Sequence, residues 1–373
     1  MTDAGRVTGT ADSAGSGLAL LPDGPDEMGR ELAGGPAAVE ATLAGLARPS
    51  QALARLIEGA GRVQLLGTGA SLAVCECAGP LLRSSDRSFG RSRPLLVREA
   101  SAAIMGLPDD EIFRADDCVV AVSKTGMSPE IVGASRRAVD AGAQVVAVTS
   151  DEASPLARLA HEVVLVPIGL EAGAATKSEL GALAALLAMW NLIERAGPGS
   201  QSLICGLEAA VLDWERARAI GRDLAGARRI WFAGFGAAFG AVQAVSLLWH
   251  EKVCRPAVPI TPSGFRHGPI EAAGREDAIV LVEMDPPSPV RDTYMRLLSD
   301  ECLRVGINQV WVSHESPPEG TWLPLLMDRG PQQSLEAFVR LQQLARGAAH
   351  AAGTYRDGFA MLGSIVSTTT PFE

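Results

Sequence analysis

Three hydroxyls and a glycine fall within six residues at Ser123, Thr125, Gly126 and Ser128, with Lys124 among them and Pro129 directly after. The segment sits between the apolar run Cys118–Val122 and a helix that Pro129 is suited to open. A helix N-terminus leaves backbone amides unpaired and carries partial positive charge. Ser123, Thr125 and Ser128 add hydroxyl donors there, and Gly126 lets the backbone come close to a ligand. Such a turn suits a phosphate, without a Walker lysine pattern. The plainer account makes Ser128 a helix cap and the other hydroxyls turn formers. The turn alone leaves both accounts open.

Other segments carry weaker chemistry. Thr68 and Ser71 lie in a second turn, Gly67 to Ser71, which follows an apolar run and opens a helix. It is not a dinucleotide fingerprint. Leu72 stands where the third glycine belongs, and Glu99 comes later than the expected acid. Thr176, Lys177 and Ser178 precede an apolar helix. A lysine in a first turn runs against the helix dipole, and a nearby anion would offset that. Glu251 and Lys252 lie on a helix that is otherwise apolar through Ala241, Val242, Val245, Leu247 and Leu248, which favours an inward Glu251 over a solvated one. His267 follows within Arg266 to Pro269; a lone histidine is usually structural.

Elements that could position these residues alternate along the chain. Strands are expected at 62–66, 95–97, 118–122, 144–149 and 162–166, with helices at 26–34, 36–60, 129–141 and 153–160. Residues 173–225 read as mainly helical. A second series follows: strand 229–233, a Gly234–Gly236 turn, helix 238–253, strands 257–260 and 278–282, helix 290–304, strands 309–312 and 322–327, and helix 332–352. Strands alternating with helices imply parallel sheets covered on both faces. The second half repeats the order of the first, so the expected fold is α/β, two three-layer α-β-α domains related as a pseudo-repeat. The expected division is a disordered tail over 1–25, a first domain over 26–198, a second over 199–352, and a C-terminal tail over 353–373.

Composition narrows the function classes. The 373 residues exceed one ordinary core and suggest two domains. With 47% hydrophobic and 20% charged residues the chain is ordinary for a globular protein. A net charge of −10 with no run of Lys or Arg argues against nucleic acid. No secretory pattern precedes the first helix, and the longest apolar stretch, 180–190, is too short for a bilayer, so a cytoplasmic protein without a membrane partner is expected. The six cysteines contain no CxxC pair and the histidines show no ligand spacing with them. No metal or other cofactor is expected.

Taken in order, Gly67 to Ser71, Ser123 to Glu130, Ala175 to Lys177, Glu251 and Arg266 to Pro269 resemble the sugar-isomerase (SIS) domain family. The likeness covers about residues 28–370 and is greatest to the two-SIS-domain isomerase half of glucosamine-6-phosphate synthase and its stand-alone isomerase, deaminase and deglycase relatives. It implies that Ser123, Thr125 and Ser128 hold a phosphate with Lys124 beside them. Thr68 and Ser71 would border the sugar, and Thr176 would lie near its hydroxyls. Glu251 would move a proton between C1 and C2. His267 would help open the ring, often from the neighbouring subunit, which implies a homodimer with a shared site.

The chain also departs from that family. Lys124 stands where Gln or a small polar residue is usual. The glutamate before the Thr-Lys pair is offset by one, with Leu170 at its place and Glu171 next. Leu248 replaces a basic residue one turn before Glu251, and Gly264 an acid before His267. No lysine lies near the C-terminus, where Ser364 falls near its place, so imine chemistry of the synthase kind is not expected. The reading that follows is a phosphosugar isomerase-type enzyme acting on a ketose or amino-sugar phosphate, with amine release or addition as an option. The alternatives are a non-catalytic sugar-phosphate sensor and an acidic assembly scaffold.

Overall fold

A computed structural model describes residues 26–47, 51–85, 93–105, 112–195, 199–284 and 288–359. The expected tail 1–25 and most of the expected tail 353–373, including Ser364, lie outside these residues.

Runs such as Asp117–Val122 are buried along their whole length, which is what a strand covered on both faces requires. The first sheet contains β1 (Arg62–Gly67), β2 (Leu95–Glu99), β3 (Asp117–Val122), β4 (Gln144–Thr149) and β5 (Glu162–Leu165). All its pairings are parallel, in the order β2-β1-β3-β4-β5. The second contains β6 (Ile230–Gly234), β7 (Ala257–Ile260), β8 (Ala278–Glu283), β9 (Asn308–Ser313) and β10 (Thr321–Pro324). Its order β7-β6-β8-β9-β10, again parallel, is the same order repeated.

Side chains alternate between faces along each strand. Val63, Leu65, Val120 and Val146 enter one core, whereas Leu66, Val119, Ala121 and Val145 enter another. In the second sheet Ile230, Phe232, Val280 and Val310 join the first of those cores, while Trp231, Ile279, Leu281 and Trp311 form a third. One apolar core is therefore shared by the facing sides of both sheets. Burying a large apolar side chain in it stabilises by about 1.5–3 kcal/mol.

The repeat extends to polar detail. Arg62 at the start of β1 forms a bidentate pair with Asp117 of β3, at 2.6 Å for both bonds. At the matching place Arg229 and Arg228 hold Asp277, at 3.2 and 2.9 Å. The two halves meet where the helix Ala237–Leu248 crosses the helix Ala70–Ser85. Gly240 permits the approach, because a Cβ there would fall 2.2 Å from the Cys77 amide nitrogen.

Two expected elements differ in form. The helix expected to run to residue 253 is α-helical only to Leu248 and continues as one π-helical turn, Trp249–Val253. The strand expected to reach residue 327 ends at Pro324, because the Glu336 carboxylate takes the amides of Leu326 and Met327, at 2.8 and 2.7 Å. No helix among the described residues is long and apolar enough to cross a membrane.

Candidate functional site

In the first sheet the strand order reverses direction between β1 and β3, which opens a crevice at the carboxyl ends of those strands. A cavity of about 330 Å³ lies there. Thr68 and Ser71 line it after β1, Ser123, Lys124, Thr125 and Ser128 after β3, and Thr149 and Ser150 at the end of β4. Ser178 and Glu179 reach it from the helix Lys177–Met189, and Glu251 from the π turn. The equivalent point of the second sheet has no such hydroxyl turn among the described residues. Phe235 stands in place of Thr68 with its ring edge-on to Tyr294, and Glu283 pairs with Arg291 at 3.1 Å.

The turn after β3 is rigidly seated. Gly126 has φ +61°, and a Cβ there would meet the Ser154 hydroxyl at 2.2 Å. The Lys124 carbonyl accepts from the Ser150 amide at 2.8 Å and the Ser150 hydroxyl at 2.9 Å. Ser123 is buried and its Oγ accepts from the Gly126 amide at 3.2 Å, leaving its own hydrogen to donate. Ser128 occupies the N-cap of the helix Pro129–Asp140 but makes no side-chain cap bond. Its hydroxyl is thus not consumed by the helix, which disfavours the purely structural account of this residue.

Thr68 lines the cavity while donating to the Glu99 carboxylate at 3.2 Å. Thr176 does not line it. It is fully buried, with its hydroxyl 2.9 Å from Glu31 and 3.0 Å from Glu171. Thr176, expected near a sugar hydroxyl, thus bonds to those two acids, and Ser178 two residues on lines the cavity. Burial and then the charge of Glu171 push the Glu31 pKa up, against bonds from Ala172 and Thr176. Burial also opposes charge on Glu171, but Lys124 at 3.1 Å and the Ser178 amide at 2.9 Å outweigh it and hold the pKa down. Glu171 thus anchors Lys124 beside the hydroxyl turn.

Glu251 owes its place to the π turn, a local widening of the helix that recurs at functional sites. Burial raises its pKa to about 7, with Lys252 and Lys124 pulling the other way. At neutral pH it is part carboxylate and part acid, the state suited to moving a proton. Lys252 is buried, and its ammonium donates to the carbonyls of Arg356 and Gly358, at 3.2 and 2.8 Å. It also lies over the rings of Tyr355 and Phe359. Lys252 thereby holds the C-terminal segment, whose Phe359 lines the cavity.

His267 lies elsewhere. It is exposed at the C-cap of the helix Pro262–Arg266 and lines a separate recess with Arg266, Glu271 and Glu301. Within one chain the structure does not bring His267 and Glu251 into one cavity. Glu179 is the acid that sequence reasoning missed. Its one signal was a lone carboxyl at the head of the unbroken apolar helix that follows Lys177. Among the described residues, no group of three or more His, Cys, Asp and Glu is placed to hold a metal ion.

Residues 56–192 match the SIS domain family. An N-acetylmuramic acid 6-phosphate etherase from Vibrio atlanticus is 28% identical over 152 residues, which are 37% of this chain and 49% of that protein. The match thus spans about half the length of that relative. The tagatose-6-phosphate ketose/aldose isomerase of Escherichia coli superposes with a TM-score of 0.77 at 20% identity, covering 91% of this chain and 97% of that one. The C-terminal domain of the glucosamine-fructose-6-phosphate aminotransferase of Francisella tularensis gives 0.74 at 17% identity, covering 91% and 99%. At these identities the superpositions speak for the fold, which repeats in this chain over both sheets.

Proposed function

We propose that this SIS-domain chain is a phosphosugar-processing enzyme that moves a proton between C1 and C2 of a ketose or amino-sugar phosphate. The observation that carries the reading is the placement of Glu251, titrating near 7, in the same cavity as the hydroxyl turn of Ser123, Thr125 and Ser128. The turn and the helix behind it hold the phosphate, with Lys124 supplying a positive charge. Thr68 and Ser71 border the sugar. The Glu251 carboxylate takes a proton from the carbon beside the carbonyl. The electron pair moves onto the carbonyl oxygen to give an enediolate, the hydroxyl proton on the deprotonated carbon passes to that oxygen, and Glu251 returns its proton to the former carbonyl carbon, so that the carbonyl re-forms on the neighbour.

Ring opening needs an acid–base group near the ring oxygen. His267 fills this role from a second copy of the chain, because its own recess is separate from its own cavity. A homodimer with a shared site follows from this reading. The phosphosugar relatives, named for isomerase, aminotransferase and etherase activities, support the substrate class.

The test is Glu251→Gln. Hexose and hexosamine 6-phosphates are expected to raise the Tm of both proteins by binding linkage, with turnover lost at least a thousandfold in the variant. Unchanged turnover in the variant would refute the role of Glu251. A Tm rise without turnover by the wild-type protein would favour the sensor instead.

A further inference from the structure

Resting on the proton-transfer reading of the cavity, we infer that Glu179 is a second substrate-contacting carboxyl, which stays protonated and donates a hydrogen bond to the carbonyl oxygen that becomes the enediolate oxygen.

The geometry identifies which of its oxygens bears the hydrogen. Glu179 lines the cavity and is almost wholly removed from water. Gln342, on the long helix Pro331–Ala352, donates from Nε2 to Glu179 Oε2 at 2.8 Å and to the Thr176 carbonyl at 3.2 Å. Both hydrogens of that amide thus go to acceptors, which fixes the amide's orientation and makes Oε2 the accepting oxygen. The proton of a neutral Glu179 then belongs on Oε1, which has no partner among the described residues. A neutral acid is the expected form here. Burial pushes the pKa well up, a bond from Gln342 opposes this, and the charges of Glu171 and Glu251 add to the rise.

The two carboxyls of the cavity therefore divide the work. Glu251, near 7, exchanges a proton with carbon. Glu179 gives no proton away; it donates a hydrogen bond that strengthens as charge gathers on that oxygen, and the charge is discharged when the oxygen takes the proton of the neighbouring hydroxyl and the new carbonyl forms there. A preorganised donor in a dry site acts on the transition state more than on the bound sugar. The Gln342 contact also makes the second half of the chain set the position of an acid carried by the first.

Glu179→Gln keeps a neutral donor of the same shape, whereas Glu179→Leu removes it. With fructose 6-phosphate, tagatose 6-phosphate and glucosamine 6-phosphate as probes, Glu179→Leu is expected to lower kcat about a hundredfold or more with KM little changed. Glu179→Gln is expected to stay within about tenfold of wild type. Equal loss in both variants would mean that the ionised form is needed, and would overturn the inference while leaving the Glu251 reading intact. Absence of wild-type turnover on every probe would overturn both. Should Glu179→Leu fold poorly, infrared difference spectra of the wild type and Glu179→Gln decide independently of activity. A carboxylic-acid carbonyl band at neutral pH, missing from the Gln variant, is expected. A carboxylate band in its place would refute the inference.

Discussion

Glu251 has a cost to the fold that its proposed role explains. Its pKa rises from an unfolded value of 4.5 to about 7, so the folded chain holds that proton more tightly than the unfolded chain does. This contribution weakens the fold as pH rises from about 4.5 through 7, by a few kcal/mol at most. Glu251→Gln should therefore raise the Tm relative to wild type at pH 8, with the gain shrinking at pH 5. Under the proposed role activity runs the other way, since a base must be ionised. The acid limb of the kcat/KM profile, which reports the free enzyme, should fall near pH 7. Lys252 favours the ionised carboxylate, so Lys252→Met should move that limb to higher pH. A limb that stays put would show that another group titrates. All three lysines of the chain, Lys124, Lys177 and Lys252, lie at or beside the cavity elements. Every other fixed cation is arginine.

Among the elements, the turn after β3 has the least freedom. Gly126→Ala would force a side chain into the left-handed region and against Ser154. The expected loss is about 1–3 kcal/mol of stability together with the Tm rise that phosphate gives the wild type. A variant that keeps both would show that the turn is not the anion site. This turn was legible in the sequence because an apolar run, hydroxyls and Pro129 stand in fixed order. Most strands were legible too, since full burial leaves unbroken apolar runs such as Cys118–Val122. The π turn was not legible, because the residues Trp249–Val253 have no distinctive type. Nor was the burial of Thr176, which depends on Glu31, 145 positions earlier in the chain. Glu179 stayed hidden for a related reason, since its partner Gln342 is 163 residues away.

In the whole molecule, the first described helix, the last helix and the tail are tied together. Asp26 receives two bonds to one oxygen from Arg346, at 2.8 and 3.0 Å, and faces His350 at 2.7 Å. Burial opposes its charge, but His350 and Arg346 outweigh it and hold the Asp26 pKa far below the ordinary range. Its contribution is present above the unfolded value of 3.8 and is lost as pH falls below it. Asp26→Asn should lower stability by about 3 kcal/mol at pH 7, since it leaves Arg346 nearly buried without its counter-charge. Urea unfolding checks this, and an unchanged midpoint would contradict it. The same knot carries Glu27, whose carboxylate accepts from the Gly358 amide at 3.0 Å, next to Phe359 in the cavity wall. Loss of Asp26 should thus weaken ligand binding as well. The repeated strand order was visible in the sequence pattern, whereas the separation of His267 from the cavity of its own chain was implied only by the family resemblance. Strand and helix patterns define each half, but not which face of one meets the site of the other.

The most direct measurement is incorporation of deuterium from D2O into C1 and C2 of a hexose 6-phosphate, followed by NMR with wild type, Glu251→Gln and Ser128→Ala. Incorporation by wild type is expected, with none by Glu251→Gln and a weakened dependence on sugar concentration for Ser128→Ala. Incorporation by Glu251→Gln at the wild-type rate would contradict the account.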